Sequence, residues 1–210
     1  MLKNKRREYE KNTLSSSDLP DNPLSLFSKW LNEVEEINNL ESTSMVLSTV
    51  DANSNPTSRT VLLKDFNEGG FIFYTNYNSP KAEHLEKNPH AALLFYWPNE
   101  ERQIRVRGTV SRISKTTSEK YFHTRPRLSQ LAVWISKQSQ KITNRKQLED
   151  ELATITTKYE NQEVPLPDYW GGYSLFPDSY EFWQGRRGRL HDRFHYTLNK
   201  TIWSVERLAP

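Results

Sequence analysis

The chain has 210 residues, of which 35% are hydrophobic, 12% aromatic and 26% charged. This length suits one domain with a sizeable core, and we expect the aromatic residues to supply much of the buried area. The formal net charge of +3 is too small to favour nucleic acid as a partner, because such an interface needs positive charge gathered on one face. The absence of cysteine excludes disulfides, thiolate metal sites and a cysteine nucleophile.

The sequence gives no sign of a membrane partner or of export. No apolar stretch approaches the roughly 20 residues that a bilayer span needs. The start of the chain is basic and lacks the apolar core of a signal peptide. We therefore expect a cytoplasmic protein without a membrane partner.

The first part of the chain predicts an arm followed by a helix. Residues 1–20 are polar, rich in serine and without periodicity, so they predict a mobile N-terminal arm, and residues 21–210 predict a single domain. Apolar residues at helical spacing predict an amphipathic helix over residues 23–38.

The remainder predicts strands, then helices, then strands again. The first strands are predicted over residues 45–50, 57–64, 71–76, 91–97 and 102–114, with a short helix over 79–88. Helices over 116–123, 128–136 and 144–159 precede strands over 173–176, 179–184, 192–198 and 202–207. This order predicts a mostly β fold with flanking helices, built as one antiparallel barrel whose last strands close against its first.

The segment 181–194 is the most informative stretch of the chain. It holds four arginines, one histidine, two acids and several large apolar residues, interrupted by two glycines. Arginine offers a fork of donors that suits phosphates, and it stacks on aromatic faces. The segment therefore predicts a lined cavity for a planar, anionic ligand, with an exposed basic hairpin as the alternative.

Two further segments could bind an anion. Arg59 and Lys64 flank an apolar strand but lie five residues apart, so one ligand meets both only at a strand end or a bulge. The alternative is a pair of solvent-facing charges. Further along, Thr75 and Lys81 lie where a strand leads into a helix start, whose free N–H groups favour phosphate. An ordinary capped helix is the alternative there.

A third candidate consists of Tyr121, Arg125 and Ser129, which recur at every fourth residue. On one helix they would share a face and form an anion site. Pro126 interrupts the run, so a shared face requires that the chain compensate for a helix break.

Other chemistry is weakly supported. His191 and His195 are spaced like two metal ligands, but the residues around them predict a strand and no third ligand is evident. We predict no metal site. The residues by themselves predict a barrel with a basic, aromatic-lined cleft for a phosphorylated planar ligand.

Several blocks of the sequence resemble one known family, in the order in which they occur there. They are residues 59–64 (RTVLLK), 73–76 (FYTN), 121–127 (YFHTRPR), 136–139 (SKQS), 164–167 (VPLP), 170–172 (WGG), 181–185 (EFWQG), 189–193 (RLHDR) and 207–210 (RLAP). The family is that of pyridoxamine 5′-phosphate oxidase, and the resemblance runs from about residue 6 to residue 210.

The resemblance implies an FMN-binding split β-barrel that works as a homodimer with FMN at the subunit interface. It also implies oxidation of pyridoxamine 5′-phosphate or pyridoxine 5′-phosphate to pyridoxal 5′-phosphate, the synthase step of vitamin B6 salvage. Hydride would pass from substrate C4′ to flavin N5, with dioxygen as acceptor and hydrogen peroxide as product. A non-catalytic flavin or pyridoxal-phosphate binding protein on the same fold is the alternative.

The resemblance assigns roles to individual residues. Arg189 and His191 would be catalytic, lying against the substrate ring. The residues implied to contact FMN are Arg59, Thr60, Val61, Leu62, Leu63, Lys64, Tyr74, Thr75, Lys81, Gln103, Gln138, Ser139, Trp183 and Arg193. Those implied to contact substrate are Arg6, Arg7, Glu8, Tyr9, Lys64, Tyr121, Arg125, Ser129, Arg189, Leu190 and His191, with residues 6–9 as a lid.

One position departs from the family pattern. Where relatives usually carry an arginine that contacts the FMN phosphate, this chain has Pro80. A hydrogen bond to a charged group contributes about 1.5–3 kcal/mol, so we expect weaker FMN binding than the family pattern would give.

Overall fold

The computed structural model describes residues 7–37 and 41–210. The helices in these ranges are α1 (Pro23–Ile37), α2 (Pro80–Lys87), α3 (Lys115–Thr124), α4 (Arg127–Ile135) and α5 (Arg145–Lys158). The strands are β1 (Ser44–Val50), β2 (Pro56–Leu62), β3 (Asp65–Asn67), β4 (Gly70–Asn76), β5 (His90–Trp97), β6 (Arg102–Arg112), β7 (Trp170–Gln184), β8 (Asp192–Asn199) and β9 (Ile202–Leu208). The predicted helix end at residue 38, and residues 1–6 of the predicted arm, lie outside the described residues.

All the strands form one antiparallel sheet. Its order is β2-β1-β5-β6-β7-β4-β3, and β8 and β9 continue from the second half of β7. The end strands β2 and β3 are joined by Leu63 and Lys64, whose N–H groups donate to the carbonyls of Thr43 and Ile72, each at 2.9 Å. The barrel therefore closes at this junction, and the prediction of a mostly β fold with flanking helices is confirmed.

The prediction that the last strands close against the first was wrong. In the described part of the chain β9 pairs with β8, and β8 pairs with β7. The reason is the length of β7: its first half pairs with β4, which leaves its second half free to pair with β8.

The two strands predicted over residues 173–176 and 179–184 are one strand, β7. The strand continues through Pro177, although proline cannot donate to a sheet. The partner strand instead passes from Arg107, opposite Ser179, to Gly108, opposite Pro177, so Asp178 is an extra residue in a β-bulge. A Cβ at Gly108 would lie 2.0 Å from the carbonyl oxygen of Phe176, so only glycine fits there.

The core lies between α1 and the inner face of the barrel. Phe27 of α1 is 0% exposed, and its ring centroid lies 4.8 Å from that of Phe71 and 5.0 Å from that of Phe95. Burying one such side chain contributes about 1.5–3 kcal/mol, so the apolar stripe of α1 seals this side of the barrel. No helix in the described ranges is both long enough and apolar enough to cross a membrane.

The described part of the arm lies against the barrel. Leu14 is 3% exposed and belongs to the core, and its N–H donates to Asp192 Oδ2 at 3.2 Å. Further along, the Tyr196 hydroxyl donates to the carbonyl of Pro20 at 2.9 Å. These contacts place residues 7–20 on the barrel surface beside β8, and the mobility of the arm stays a prediction.

Candidate functional site

A cavity of about 550 Å³, called here the basic cavity, opens where β2 and β4 face α2 and the α3–α4 connection. Cationic and aromatic side chains dominate its wall. The residues that line it are Arg59, Thr60, Val61, Leu62, Lys64, Tyr74, Thr75, Pro80, Lys81, Tyr121, Arg125, Gln138, Ser139 and Trp170.

Arg59 and Lys64 both reach the basic cavity because β2 ends between them, at Leu62. The strand alternation that would separate the two side chains therefore stops before Lys64. The Arg59 guanidinium donates to the carbonyl of Leu47 at 3.1 Å and to Thr49 Oγ1 at 2.8 Å. Burial lowers the pKa of Arg59, and these neutral acceptors leave its charge available to a ligand.

Lys81 is a buried cation held by neutral oxygens. Its Nζ donates to Gln138 Oε1 at 2.8 Å, to Thr75 Oγ1 at 3.1 Å and to Ser79 Oγ at 3.2 Å. Removal from water, and secondarily the charge of Arg59, lower the pKa of Lys81 to about 8. An anion beside such a desolvated ammonium would strongly stabilise its charged form.

Arg125 faces the basic cavity despite the helix break. Helix α3 ends at Thr124 and α4 begins after Pro126, so Arg125 lies in the bend. Its guanidinium lies over the Trp170 ring with Cζ 4.8 Å from the centroid, and its Nη1 is buried without a hydrogen-bond partner in residues 7–37 and 41–210. Burial also lowers the pKa of Arg125. A buried donor without an acceptor indicates a place for an anionic ligand atom.

The residues around Arg125 complete an aromatic wall and a second opening. Tyr121 stacks on Tyr74 with ring centroids 3.9 Å apart, and Tyr74 stacks on Trp170 at 5.3 Å. Ser129 lines an adjoining cavity of about 250 Å³, which Arg125 and Trp170 also line. The structure thus brings Tyr121, Arg125 and Ser129 to one region.

The charge balance of the basic cavity is one-sided. Arg59, Lys64, Lys81 and Arg125 line it, and no aspartate or glutamate is among its lining residues. Within residues 7–37 and 41–210, none of the four forms an ion pair with a carboxylate. Four cations without a counter-charge suit a ligand that carries phosphate.

A second group of predicted residues lies in a row across β6, β7 and β8. Trp183 pairs with Gln103 on one side and with Arg193 on the other. The Arg193 guanidinium donates to Glu181 Oε1 at 2.9 Å and to the carbonyl of Ala209 at 2.8 Å. None of the row residues Gln103, Trp183 and Arg193 is among those that line the basic cavity.

His191 packs beside this row. Its ring centroid lies 4.6 Å from that of Trp183 and 5.7 Å from that of Tyr9. Its Nδ1 accepts the N–H of Arg186 at 3.1 Å, so the neutral ring carries its proton on Nε2. Burial and the neighbouring charge of Arg189 lower the pKa of His191, which favours this neutral form near pH 7.

The loop that carries His191 has a constrained backbone. Arg189 has a φ of 63°, in the left-handed region that non-glycine residues rarely adopt. Arg189 and Leu190 are exposed, with Leu190 at 73%. The described residues of the predicted lid, Arg7, Glu8 and Tyr9, belong to the arm on the same side of the barrel, where Glu8 Oε2 accepts the N–H of Gly188 at 3.2 Å.

The predicted residues therefore fall into two groups. The basic cavity receives most of the predicted FMN contacts together with Tyr121 and Arg125. The row and the loop after it hold Gln103, Trp183, Arg193, Arg189, Leu190 and His191. Ser129 lines the adjoining cavity, and Arg7, Glu8 and Tyr9 belong to the arm. Leu63 is 3% exposed in the core, and Arg6 is outside the described residues. Trp170 lines the cavity but had no predicted role. Its place in the family block WGG, residues 170–172, could have identified it as a site residue.

A metal site would require several ligating side chains grouped together. Within the described ranges no three His, Asp or Glu side chains are grouped as a metal would require. His195 is instead bonded through Nε2 to Ser179 Oγ at 2.8 Å, away from His191. The fold and the site together define an antiparallel barrel protein with a cationic, aromatic-walled ligand cavity.

Two family models match this chain. One, described as pyridoxamine 5′-phosphate oxidase, matches residues 32–159. The other, described as the pyridoxine 5′-phosphate oxidase C-terminal dimerisation region, matches residues 170–210. The chain belongs to the pyridoxamine 5′-phosphate oxidase family, as the resemblance predicted.

Individual relatives agree over nearly the full length. A pyridoxine/pyridoxamine 5′-phosphate oxidase of Crocosphaera subtropica is 48% identical over 98% of this chain and 97% of its own. One from Proteus mirabilis is 49% identical over 98% of this chain and 94% of its own. Among solved structures, PhzG from Burkholderia lata 383, in complex with tetrahydrophenazine-1-carboxylic acid, superposes with a TM-score of 0.89 at 25% identity, covering 95% of this chain and 98% of that one. The predicted split-barrel fold is confirmed.

Proposed function

We propose that this protein is an oxidase that converts pyridoxamine 5′-phosphate or pyridoxine 5′-phosphate to pyridoxal 5′-phosphate, with FMN as cofactor and dioxygen as acceptor. The observation that carries the proposal is the basic cavity, where four cations and three stacked aromatic rings meet without a carboxylate. Two phosphorylated planar molecules match this combination. The names of the full-length relatives support the same reaction.

The FMN phosphate is assigned to Arg59, Lys81 and Ser139. Lys81 supports this assignment because its ammonium is buried and bonded to neutral oxygens, so a phosphate would supply the charge that it lacks. Bound there, the flavin would supply a two-electron acceptor for the substrate hydride. The protein would position the flavin and the substrate and supply the electrostatic field around them.

The substrate phosphate is assigned to Lys64, Tyr121, Arg125 and Ser129. The unpartnered Nη1 of Arg125 supports this assignment, because a phosphate oxygen would satisfy it. Trp170 holds the guanidinium plane from the other side, which fixes the direction of its donors. Arg125 would then orient the substrate as well as bind it.

Arg189 and His191 are assigned to the substrate ring. His191 would present Nε2–H as a fixed donor, because its Nδ1 is already occupied by the N–H of Arg186. Its lowered pKa keeps this arrangement over the neutral pH range. Arg189 would add a cation that packs against the ring from the exposed side of the loop.

A homodimer would bring the two groups of residues together. The row of Gln103, Trp183 and Arg193 lies on β6, β7 and β8, whereas the basic cavity lies at β2, β4, α2 and α3. The matched dimerisation region, residues 170–210, contains the β7 and β8 part of this row. We infer that the partner supplies its row to the FMN bound in the basic cavity.

Peroxide production tests the proposed activity. Purified protein supplemented with FMN should form pyridoxal 5′-phosphate and hydrogen peroxide in equal amounts when either substrate is added in air. A non-catalytic flavin or pyridoxal-phosphate binding protein would bind its ligand and form neither product. That outcome would reject the oxidase and favour the alternative.

Replacing Pro80 with arginine should strengthen FMN binding. Pro80 lines the basic cavity at the first position of α2, so an arginine there would add a fifth cation near the assigned phosphate. One charge-assisted hydrogen bond, about 1.5–3 kcal/mol, predicts at least a tenfold lower Kd in an FMN titration. Pro80→Ala is the matched control for loss of the proline ring, and equal Kd values for Pro80→Arg and Pro80→Ala would contradict the prediction.

FMN affinity should fall as the pH rises above about 8. Lys81 has a pKa lowered to about 8, so its ammonium loses its proton above that pH unless an anion retains it. One proton coupled to binding limits the loss to about tenfold per pH unit. FMN titrations from pH 7 to 9.5 should show this slope in the native protein and a flatter one in Lys81→Met. A native affinity that stays constant to pH 9.5 would be the contrary result.

A further inference from the structure

Glu101, in the turn between β5 and β6, has a buried carboxylate. Both of its oxygens accept hydrogen bonds from the N-terminal arm. Oε2 accepts the N–H groups of Glu10 at 2.8 Å and Lys11 at 2.9 Å. Oε1 accepts Arg7 Nη2 at 3.2 Å. The residue is 3% exposed, so these three donors satisfy a charge that water does not reach.

The backbone of Glu101 is bound at the same time to the strand that leads into the His191 loop. Its carbonyl accepts the N–H of Gly185 at 2.7 Å and Gln184 Nε2 at 3.2 Å. One residue therefore joins the arm, through its side chain, to the end of β7, through its main chain. Its position fixes how these two segments lie against each other.

The ring of Tyr9 lies in the space that this arrangement creates. Its centroid is 5.6 Å from that of Trp183 and 5.7 Å from that of His191, in edge-on contacts. Gly185 lies beneath it, and a Cβ there would approach Tyr9 Cγ to 2.7 Å. Tyr9 can therefore reach the two rings only while the arm and residue 185 keep their present separation.

The backbone conformation of Glu101 points to a use for its side chain. Its φ of 56° lies in the left-handed region, where glycine or asparagine is the usual choice in a turn. Strain of this kind is kept where the surrounding structure needs that residue. In this structure, the contacts of the Glu101 carboxylate with the arm are what requires a glutamate at this position.

The other ionic contacts of the arm join side chains only. Arg187 pairs with Glu10 with side-chain exposures of 73% and 51%, and Lys11, whose side chain is 46% exposed, pairs with the buried Glu100. Ion pairs with an exposed partner contribute little, whereas hydrogen bonds that backbone N–H groups donate to a buried carboxylate are strong. Glu101 is therefore the contact on which the placement of residues 7–11 depends most.

We propose that Glu101 is a positioning residue for the substrate: it holds residues 7–11 against the His191 loop so that Tyr9 packs on His191. The proposal rests on the proposed function, in which the arm and His191 contact the substrate. Glu101 itself contacts the arm and would not contact the substrate, since it does not line the basic cavity. Its loss should raise the KM for pyridoxamine 5′-phosphate and change kcat much less, since the donors of the basic cavity remain in place.

The test compares Glu101→Gly and Glu101→Gln with Lys200→Gly. Glycine removes the carboxylate and relieves the left-handed strain, so the barrel should stay folded. Lys200 lies in the β8–β9 turn with a φ of 60°, so its glycine variant is a matched control for the backbone effect. Glutamine keeps one amide oxygen that can accept an N–H, so it should restore part of the effect.

Two measurements decide the outcome. Brief trypsin treatment without substrate, analysed by mass, should show cleavage after Arg7 and Lys11 at least about tenfold faster in Glu101→Gly, because cleavage follows the population of released arm and hydrogen bonds to a charged group are each worth about tenfold or more. The KM should rise by a similar factor. Lys200→Gly should match the native protein in both, and Glu101→Gln should fall between.

Unchanged cleavage in both Glu101 variants would overturn the anchoring role. Faster cleavage with an unchanged KM would overturn the link to the substrate. A fall in kcat and melting temperature without a rise in KM would show a purely structural role and would also overturn the proposal. The trypsin measurement needs no activity, so a native protein that makes no peroxide would reject the proposed function while leaving the anchoring test intact.

Discussion

Replacing Lys81 with methionine should raise the Kd for FMN by about tenfold to a hundredfold. The ammonium lies 2.8–3.2 Å from three neutral oxygens and has no carboxylate partner among the described residues. A hydrogen bond to a charged group contributes about 1.5–3 kcal/mol, and each 1.4 kcal/mol is about tenfold in affinity. The variant should lose its flavin on desalting, which an absorption spectrum and an FMN titration would measure.

The matched control is Lys87→Met on the same helix. Lys87 forms an exposed i,i+4 pair with Glu83 at 2.7 Å, so its loss removes the same charge from α2 without touching the basic cavity. FMN affinity in this variant should equal that of the native protein. Unfolding of the flavin-free proteins adds a second check, because removing a desolvated cation should not destabilise the Lys81 variant. Native FMN affinity in Lys81→Met would contradict the assignment of the FMN phosphate.

Replacing Arg125 with methionine should raise the KM for pyridoxamine 5′-phosphate about a hundredfold and leave FMN affinity unchanged. Its buried Nη1 has no hydrogen-bond partner among the described residues, and its guanidinium plane lies over Trp170. Two charge-assisted bonds to a phosphate would contribute about 3 kcal/mol or more. Steady-state kinetics at saturating FMN would measure the change in KM.

Arg145→Met provides the control for this second substitution. Arg145 is on α5, its side chain is 88% exposed, and its pair with Glu149 at 2.9 Å is of the kind that contributes little. Its KM should match that of the native protein. If Arg125→Met instead lowers FMN affinity and leaves the KM unchanged, the two phosphate positions are assigned the wrong way round.

Sequence reasoning was most successful where a local pattern decides the structure. The apolar spacing of Phe27, Trp30 and Val34 predicted α1, because burial of one face is the force that forms such a helix. Twelve of the fourteen residues that line the basic cavity had roles implied by the resemblance. Pro80 and Trp170 are the other two, and Pro80 had been noted as a departure.

What the sequence did not predict depends on long-range geometry. Strand periodicity over the predicted strand 57–64 put Arg59 and Lys64 on opposite faces, and the end of β2 at Leu62, where the barrel closes, explains why both reach the cavity. The bulge at Asp178 depends on the partner strand β6, so the local pattern predicted two strands where the structure has one. The contacts of Glu101 join residues about 90 positions apart along the chain, and no local pattern encodes them.

The division of the site into two groups also lay beyond sequence reasoning. The resemblance listed Gln103, Trp183 and Arg193 beside Arg59 and Lys81 without saying where in one subunit each lies. The structure separates them, since the first three form a row across β6, β7 and β8 that does not line the basic cavity. This separation is the structural argument for a site shared by two subunits.

The central claim, that this barrel oxidises a phosphorylated pyridine substrate with bound FMN, is tested most directly by an anaerobic absorption spectrum. The protein is supplemented with FMN, desalted, and recorded without oxygen before and after addition of pyridoxine 5′-phosphate. We predict that the band of the protein-bound flavin bleaches on addition and returns when air is admitted. Retained flavin that does not bleach with either substrate would contradict the claim.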